Sequence, residues 1–375
     1  MDGCNCTPRC QIDGTITRQL KALEIGESDV ISDSGREMWN LYEQRGIDNV
    51  LIMGVHVNMC VLGRPFGIRN LVNAGKNVVL IRDLTDSIYN PDGRPYVSHF
   101  TGTDLIVEHI ERNWCPTVTS TAITGYPPFR FADDKRPHIV MVIAEDEYEA
   151  DRTLPALARE HLGKHFKVTL VSGNPDDRND IPGIAVLDDA DLAILFIRRR
   201  LLSPEQLAYL RKYVDRGKPL LAIRPTSHGF SQSDGHVPEG KADWPEFDRD
   251  ILGCQYEGGF ANVDPNGPAT HVWCVPEARQ HPVLRGLPTE RFGVGCALYK
   301  NSVPSTTANI LVMGNVEGQQ SPQPVAWTNV HSGGGRVFYT SLGHAADFDV
   351  AAVRRIFVQA IYWLTDQEFP DLDGE

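Results

Sequence analysis

The sequence predicts an α/β chain folded as two three-layer domains, each with a mostly parallel sheet between layers of helix. Three observations predict it. Strand-sized apolar runs alternate with amphipathic helical segments; the alternation stops near Cys115 and restarts near His138; and 375 residues are enough for two cores. Right-handed crossovers between parallel strands make two Rossmann-like three-layer domains the expected outcome.

In the first third, "SGREMWNLYEQRG" carries Met38, Leu41 and Tyr42 at helical spacing, with Ser34 as cap and Gly46 as stop. "NVLIMGV" reads as a buried strand and "MCVLGRPFGIRNLVNAG" as one helix, because apolar spacing resumes at Ile68 and Leu71 after Gly63, Pro65 and Gly67. "NVVLIRD" is a second buried strand, and strand, helix, strand with short links is the mark of a parallel sheet. From Cys115 the periodicity gives way to Pro, Gly and mixed charge, so the first domain is set at residues 1–130 and the second at 137–367.

The second part reads as strand "HIVMVIA", acidic turn "EDEYEA", helix "TLPALAREHLGKHF", then strands "KVTLVS" and "DLAILFI". A helix capped by Ser203 follows, with Leu207, Leu210 and Val214 on one side, and then strand "KPLLAIR". Residues 235–324 are Gly- and Pro-rich and read as an antiparallel insertion; "GRVFYTSLGHAADF" and "DVAAVRRIFVQAIYWLT" supply a last strand and a closing helix. Trp327, Tyr362 and Trp363 read as core, and Arg198, Arg199 and Arg200 as a solvated loop.

A formal net charge of −13 argues against a nucleic-acid partner. No apolar run approaches the length that spans a bilayer, and "MDGCNCTPRC" lacks a basic flank followed by an apolar core, so a cytoplasmic location is expected for the chain as written. The expected partner is a small-molecule substrate. Cys4, Cys6 and Cys10 lack paired knuckles and a fourth ligand, so they read as reduced loop thiols and no metal is expected. No dinucleotide or phosphate-loop fingerprint follows a strand, and no cofactor is expected.

Open α/β sheets bind ligands beyond the carboxyl ends of their strands. Cys60 follows its strand by a few residues, near the next helix start, where free amides favour a thiolate; a buried Cys serving as a small hydrophobe is the plainer alternative. "GVHVNMCV" followed by "NVVLIRDLTDS" resembles the core of the isochorismatase-like cysteine hydrolases, over about residues 16–120. The resemblance implies Cys60 as nucleophile, Val55–His56 as a cis peptide, the Cys60 amide as oxyanion donor, and His56 and Asn58 as substrate contacts. It also implies an Asp ending an earlier strand and a supporting Lys. Neither Asp2 nor Asp13 lies in an apolar run, Lys21 is a poor match, and a missing base removes about 10²- to 10⁴-fold of rate. The sequence is read as beginning inside a loop of a longer protein, in which case an exported precursor is open; the alternative is a decayed domain. Either leaves an apolar sheet edge that favours a homo-oligomer.

"EDEYEADRTLP", "GKPLLAIRPTSHGF" and "GGGRVFYTSLGHAADF" together resemble the trehalose-utilisation (ThuA-like) domains, which share the fold of class I glutamine amidotransferases. The resemblance aligns Arg224 with the amidotransferase nucleophile and His344 with its catalytic His, while the usual Glu two residues on is absent and Asp347 lies a turn away. Arg224, Ser227 and His228 are then expected to bind a polar metabolite such as a sugar, with His344 able to move a proton. A loop His also serves as an ordinary surface or hydrogen-bonded residue, and both readings stay open for His228 and His344. Ser227 lies in no G-x-S-x-G and reads as a turn residue rather than a nucleophile. Glu145, Asp146 and Glu147 read equally as a solvated turn or a ligand-binding one. The resulting expectation is hydrolysis of a small C–N or related bond through Cys60, joined to a carbohydrate-binding second domain. Its alternatives are a non-catalytic scaffold and catalysis in the second domain alone.

Overall fold

The computed structural model describes residues 19–126, 128–260, 268–302, 305–319 and 321–370; Asp2, Cys4, Cys6, Cys10 and Asp13 lie outside them. The chain divides into two compact units, Met1–Lys135 and Arg136–Glu375.

In the first unit, α1 (Gly35–Arg45) starts where the Ser34 hydroxyl accepts from the Glu37 amide and stops at Gly46 in the left-handed region. It leads into β1 (Asn49–Val55). The single helix expected from Met59 to Gly75 is instead a π-helical turn, Val57–Val61, and a short α2 (Ile68–Asn73). Pro65 has no amide to donate and cannot sit in a helix interior, so the chain loops here; its carbonyl accepts from the Trp39 indole at 3.2 Å. There follow β2 (Asn77–Asp86), α3 (His99–Asn113), β3 (Thr117–Val118) and the short α4 (Thr121–Thr124). The sheet order is β1-β2-β3, all parallel. Val50 and Ile52 of β1 face the unit's core, whereas Leu51, Met53 and Val55 on the opposite face are exposed. The three-layer expectation is therefore corrected at β1, where one face stays uncovered among the described residues.

The second unit opens with β4 (His138–Ala144), α5 (Ala150–Leu157) running into a π-helical turn, and β5 (Lys167–Ser172). Next come β6 (Leu192–Ile197), α6 (Pro204–Asp215) and β7 (Leu220–Ile223). The excursion that follows holds β8 (Tyr256–Gly259), β9 (Thr270–Cys274), β10 (Phe292–Val294), β11 (Tyr299–Asn301), β12 (Asn309–Val316) and β13 (Gln323–Val330). The unit closes with β14 (Arg336–Thr340) and α7 (Ala351–Leu364).

Nine strands form one sheet in the order β10-β9-β12-β13-β14-β7-β6-β4-β5. Pairing is parallel from β14 to β5 and antiparallel from β10 to β14, so the expected mostly parallel sheet is half antiparallel, the insertion having joined the main sheet. The central strands are continuously apolar because both faces are covered. Ile139, Met141 and Ile143 enter one core with Leu154 of α5 and Ile356 of α7; Val140, Val142 and Ala144 enter the other with Leu207 and Leu210 of α6. Trp327 and Tyr362 are buried as expected, but Trp363 is only half-buried and takes the Arg336 guanidinium on its ring at 4.8 Å.

Gly343, just after β14, has φ +124, and a Cβ there would meet Ile223 Cγ2 at 2.6 Å. Gly343→Ala is expected to destabilise this unit by about 1–3 kcal/mol, read as a fall of roughly 2–10 °C in the calorimetric midpoint. Gly293→Ala, at a position with open space around it, serves as the near-neutral control.

Candidate functional site

Chain order reverses at β4, which has β5 on one side and β6 on the other, and the helices that follow β4 and β6 lie on opposite faces. Such a switch point opens a crevice at the carboxyl ends of the two strands. Here it is bordered by Glu145–Tyr148 after β4, Arg198–Arg200 after β6, Arg224–His228 after β7 and Ser341–His344 after β14.

At the end of β7 the backbone turns sharply, with Arg224 at φ +44, and enters a 3-10 turn. The Arg224 side chain does not project into solvent. It is buried, its Nη1 donates to the Ser341 carbonyl, and both Nη atoms reach the Ala297 carbonyl at 3.4–3.5 Å. The Tyr148 and Tyr299 rings lie 4.5 and 4.6 Å from Cζ, and the two phenols meet at 3.0 Å. The expected direct grip on an oxyanion is therefore corrected: the forked donors serve carbonyls and the flat faces are occupied by aromatic rings. Its Nε has no partner among the described residues. Burial pushes the Tyr299 phenol well above the usual tyrosine value, although the guanidinium pulls the other way.

Asp347 is fully buried and accepts three backbone amides, from Gly295 at 2.8 Å, Gly343 at 2.8 Å and His344 at 3.0 Å. It ties the turn after β14 to the loop before β11. His344 is half-buried, edge-on to Tyr148 at 6.3 Å, and its Nδ1 accepts from the Ala346 amide, which leaves Nε2 to carry the proton of the neutral ring. Cys296 lies against Asp347 and Arg224. Burial, reinforced by Asp347, pushes its thiol far up, so it stays protonated and inert despite the neighbouring Arg224.

His228 is stacked on Tyr256 at 4.2 Å, and its Nδ1 lies 3.2 Å from the hydroxyl of Ser227, which also donates to the Arg224 carbonyl. Burial, then the charges of Arg199, Arg198 and Arg224, hold the imidazole down at about 3. The acidic turn is structural. Glu145 accepts from the amides of Glu147, Tyr148 and Ala150, Asp146 pairs with Arg178 at 3.2 Å, and Glu147 pairs with Arg198. The solvated-loop expectation fails at Arg200, which is buried with Nε on the Ala144 carbonyl at 2.8 Å and Nη1 on the Arg178 carbonyl at 2.9 Å.

The ThuA (trehalose utilisation) family model matches residues 139–364, more than half of the chain. The chain belongs to the ThuA family. Two solved structures are similar to it: a ThuA-like protein from Bacteroides uniformis, 16% identical with TM-score 0.46, covering 64% of this chain and 95% of that one, and a ThuA-like protein from Parabacteroides merdae, 20% identical with TM-score 0.48, covering 64% and 93%. Among curated proteins none matches the chain.

The other sequence-predicted residues fall outside the ThuA domain. Cys60 is half-exposed in the π-helical turn after β1, a free thiol without a hydrogen bond among the described residues. The Val55–His56 peptide is cis, and the His56 carbonyl accepts from the amides of Met59 and Val61 at 3.0 and 3.2 Å. The Asn58 amide group is consumed by Ile88, donating to its carbonyl and accepting from its amide at 3.0 Å each. That leaves it a clamp between this turn and the end of β2, where Asp86 bonds His99 Nε2 and Thr103 Oγ1, both at 2.9 Å. Lys21 is exposed in a turn. The described residues contain no His, Cys, Asp and Glu cluster suited to a metal, and no helix among them is long and apolar enough to cross a membrane.

Sequence reasoning missed Tyr148, Tyr256, Tyr299 and Arg199 of the ThuA site. Tyr148 and Arg199 carried a local signal, their place just after a strand.

The low His228 value has a pH consequence. In the unfolded chain the ring gains a proton as pH falls below its ordinary 6.5, while the folded ring stays neutral to about 3. Its stabilising contribution is present above pH 6.5 and is lost progressively down to about 3. His228→Gln is expected to flatten the pH dependence of the urea midpoint in that window, by at most about 1.4 kcal/mol per pH unit. An unchanged slope would show that the ring is solvated in the fold.

Proposed function

We propose that the ThuA domain binds a small polyhydroxylated, carbohydrate-type metabolite in the switch-point crevice. The observation that carries this reading is the wall of the crevice, where the half-exposed rings of Tyr148 and Tyr256 accompany a neutral His228, with His344 edge-on to Tyr148. Flat aromatic faces with polar tips cover the apolar face of a sugar ring, and a neutral imidazole both donates to and accepts from hydroxyls. The family's description, trehalose utilisation, supports the same ligand class. In this reading Arg224 is a positioning residue beneath Tyr148 and Tyr299, and His228 and His344 are the groups available to move a proton. Tyr256→Ala is expected to weaken binding of trehalose or a related sugar at least about tenfold by calorimetric titration. Sugar binding indifferent to Tyr256 and His228 would remove the crevice from the account.

A separate hydrolytic reading at Cys60 is supported by its half-exposed, unbonded thiol on a turn clamped by Asn58. Attack of the thiolate on an amide-type carbon releases the amine, and water then cleaves the thioester to the acid and regenerates the thiol. Cys60→Ser is expected to abolish turnover across a panel of small amides and esters and to leave sugar binding intact. Turnover that survives both this change and thiol alkylation belongs elsewhere in the chain.

A further inference from the structure

β6 ends in three consecutive arginines, and the fold gives each a different situation. Arg198 pairs with Glu147 and Asp146, and Arg200 is buried with its donors on the Ala144 and Arg178 carbonyls. Arg199 is only half-buried, and its guanidinium has no hydrogen bond, ion pair or ring contact among the described residues. Its position is nevertheless built. The backbone is left-handed at φ +49, and the Arg199 carbonyl accepts from Gln232 Nε2 at 3.1 Å and Arg178 Nε at 3.4 Å. The next amide, of Arg200, donates to the Gly229 carbonyl at 2.7 Å, which sets Arg199 alongside His228. Arg199 exerts the largest charge effect on His228 and the largest of any cation on Tyr256.

An uncommitted guanidinium at a switch-point crevice, beside an aromatic ring and a neutral imidazole, is suited to an anionic oxygen group. The neighbouring carboxylates offer no competition, because Glu145 holds three amides while Asp146 and Glu147 hold Arg178 and Arg198. Nor do Arg198, held by Glu147 and Asp146, and Arg200, held by the Ala144 and Arg178 carbonyls. We propose that Arg199 is a specificity residue receiving the carboxylate or phosphate of an acidic, sugar-type ligand, so that the ThuA domain selects anionic over neutral carbohydrates. This rests on the reading of the same crevice given above.

The test is calorimetric titration of the full chain, at fixed ionic strength, with glucuronate, glucose 6-phosphate, glucose and trehalose. The proteins are wild type, Arg199→Gln, Arg199→Lys and Tyr256→Ala. An acidic ligand is expected to bind wild type about ten- to a hundredfold more tightly than the neutral sugars, the range of a hydrogen bond to a charged group. Arg199→Gln brings it down to the neutral level without changing neutral-sugar affinity, and Arg199→Lys restores part of the gain. Thermal midpoints stay level, since the guanidinium has no partner to lose. Preference for glucuronate or for the phosphate ester identifies the group. Acidic and neutral sugars that bind equally, ignore Arg199→Gln and weaken in Tyr256→Ala would overturn the Arg199 role and leave the crevice standing. Failure of all four ligands to bind wild type would overturn both.

Discussion

The Arg224 guanidinium, sealed between Tyr148 and Tyr299, is the constraint around which the ThuA domain's strand-end face is arranged. A guanidinium cannot shed its charge, so burying it demands compensation worth several kcal/mol. The compensation is spread over elements far apart in sequence: carbonyls from the loop before β11 and the turn after β14, and two ring faces from the turn after β4 and from β11. Two desolvated cation–π contacts, each worth roughly 2 kcal/mol, act with the carbonyl bonds to offset the burial. Four chain segments are thereby held to one point. Asp347 fixes the same two segments through three amides, so the face is pinned by two buried polar side chains that both bond backbone groups.

That arrangement sets the electrostatics of everything nearby. His228 is under three arginines and is kept neutral, while the phenols of Tyr256 and Tyr299 are pushed up by burial. The crevice wall therefore holds neutral hydrogen-bonding groups over a positive background. Such a surface tolerates hydroxyls, favours anionic oxygen and disfavours a cationic ligand.

Much of this fold was legible because it is local. Ser34 and Ser203 cap the helices they precede, Gly46 ends its helix in the left-handed region, and the apolar runs of β4, β6 and β7 became strands covered on both faces. The failures have two causes. Pro65 and its flanking glycines outweighed the apolar spacing of one helix, and the antiparallel insertion joined the main sheet through pairings of strands distant in sequence, β9 with β12 and β14 with β7. At the site, Arg224 and His344 were visible because they follow strands directly. Tyr256 and Tyr299 lie on short strands in the loop-rich excursion, and only tertiary structure brings them to His228 and Arg224. The three arginines look alike in sequence; the partners of Arg198 lie in the acidic turn, and those of Arg200 at the end of β4 and in the loop after β5.

The turn after β7 places an arginine, not a nucleophile, at the end of the strand. Arg224 is long enough to fold back, and once its charge is stacked and bonded the elbow becomes a pedestal for two tyrosines. The nearest thiol, Cys296, does not replace the nucleophile, because the burial that protects the arginine also keeps that thiol protonated. The titratable rings that remain half-exposed on this face include those of His228 and His344. His228 stands beside Tyr299 and His344 beside Tyr148, the two rings that lie against the buried cation.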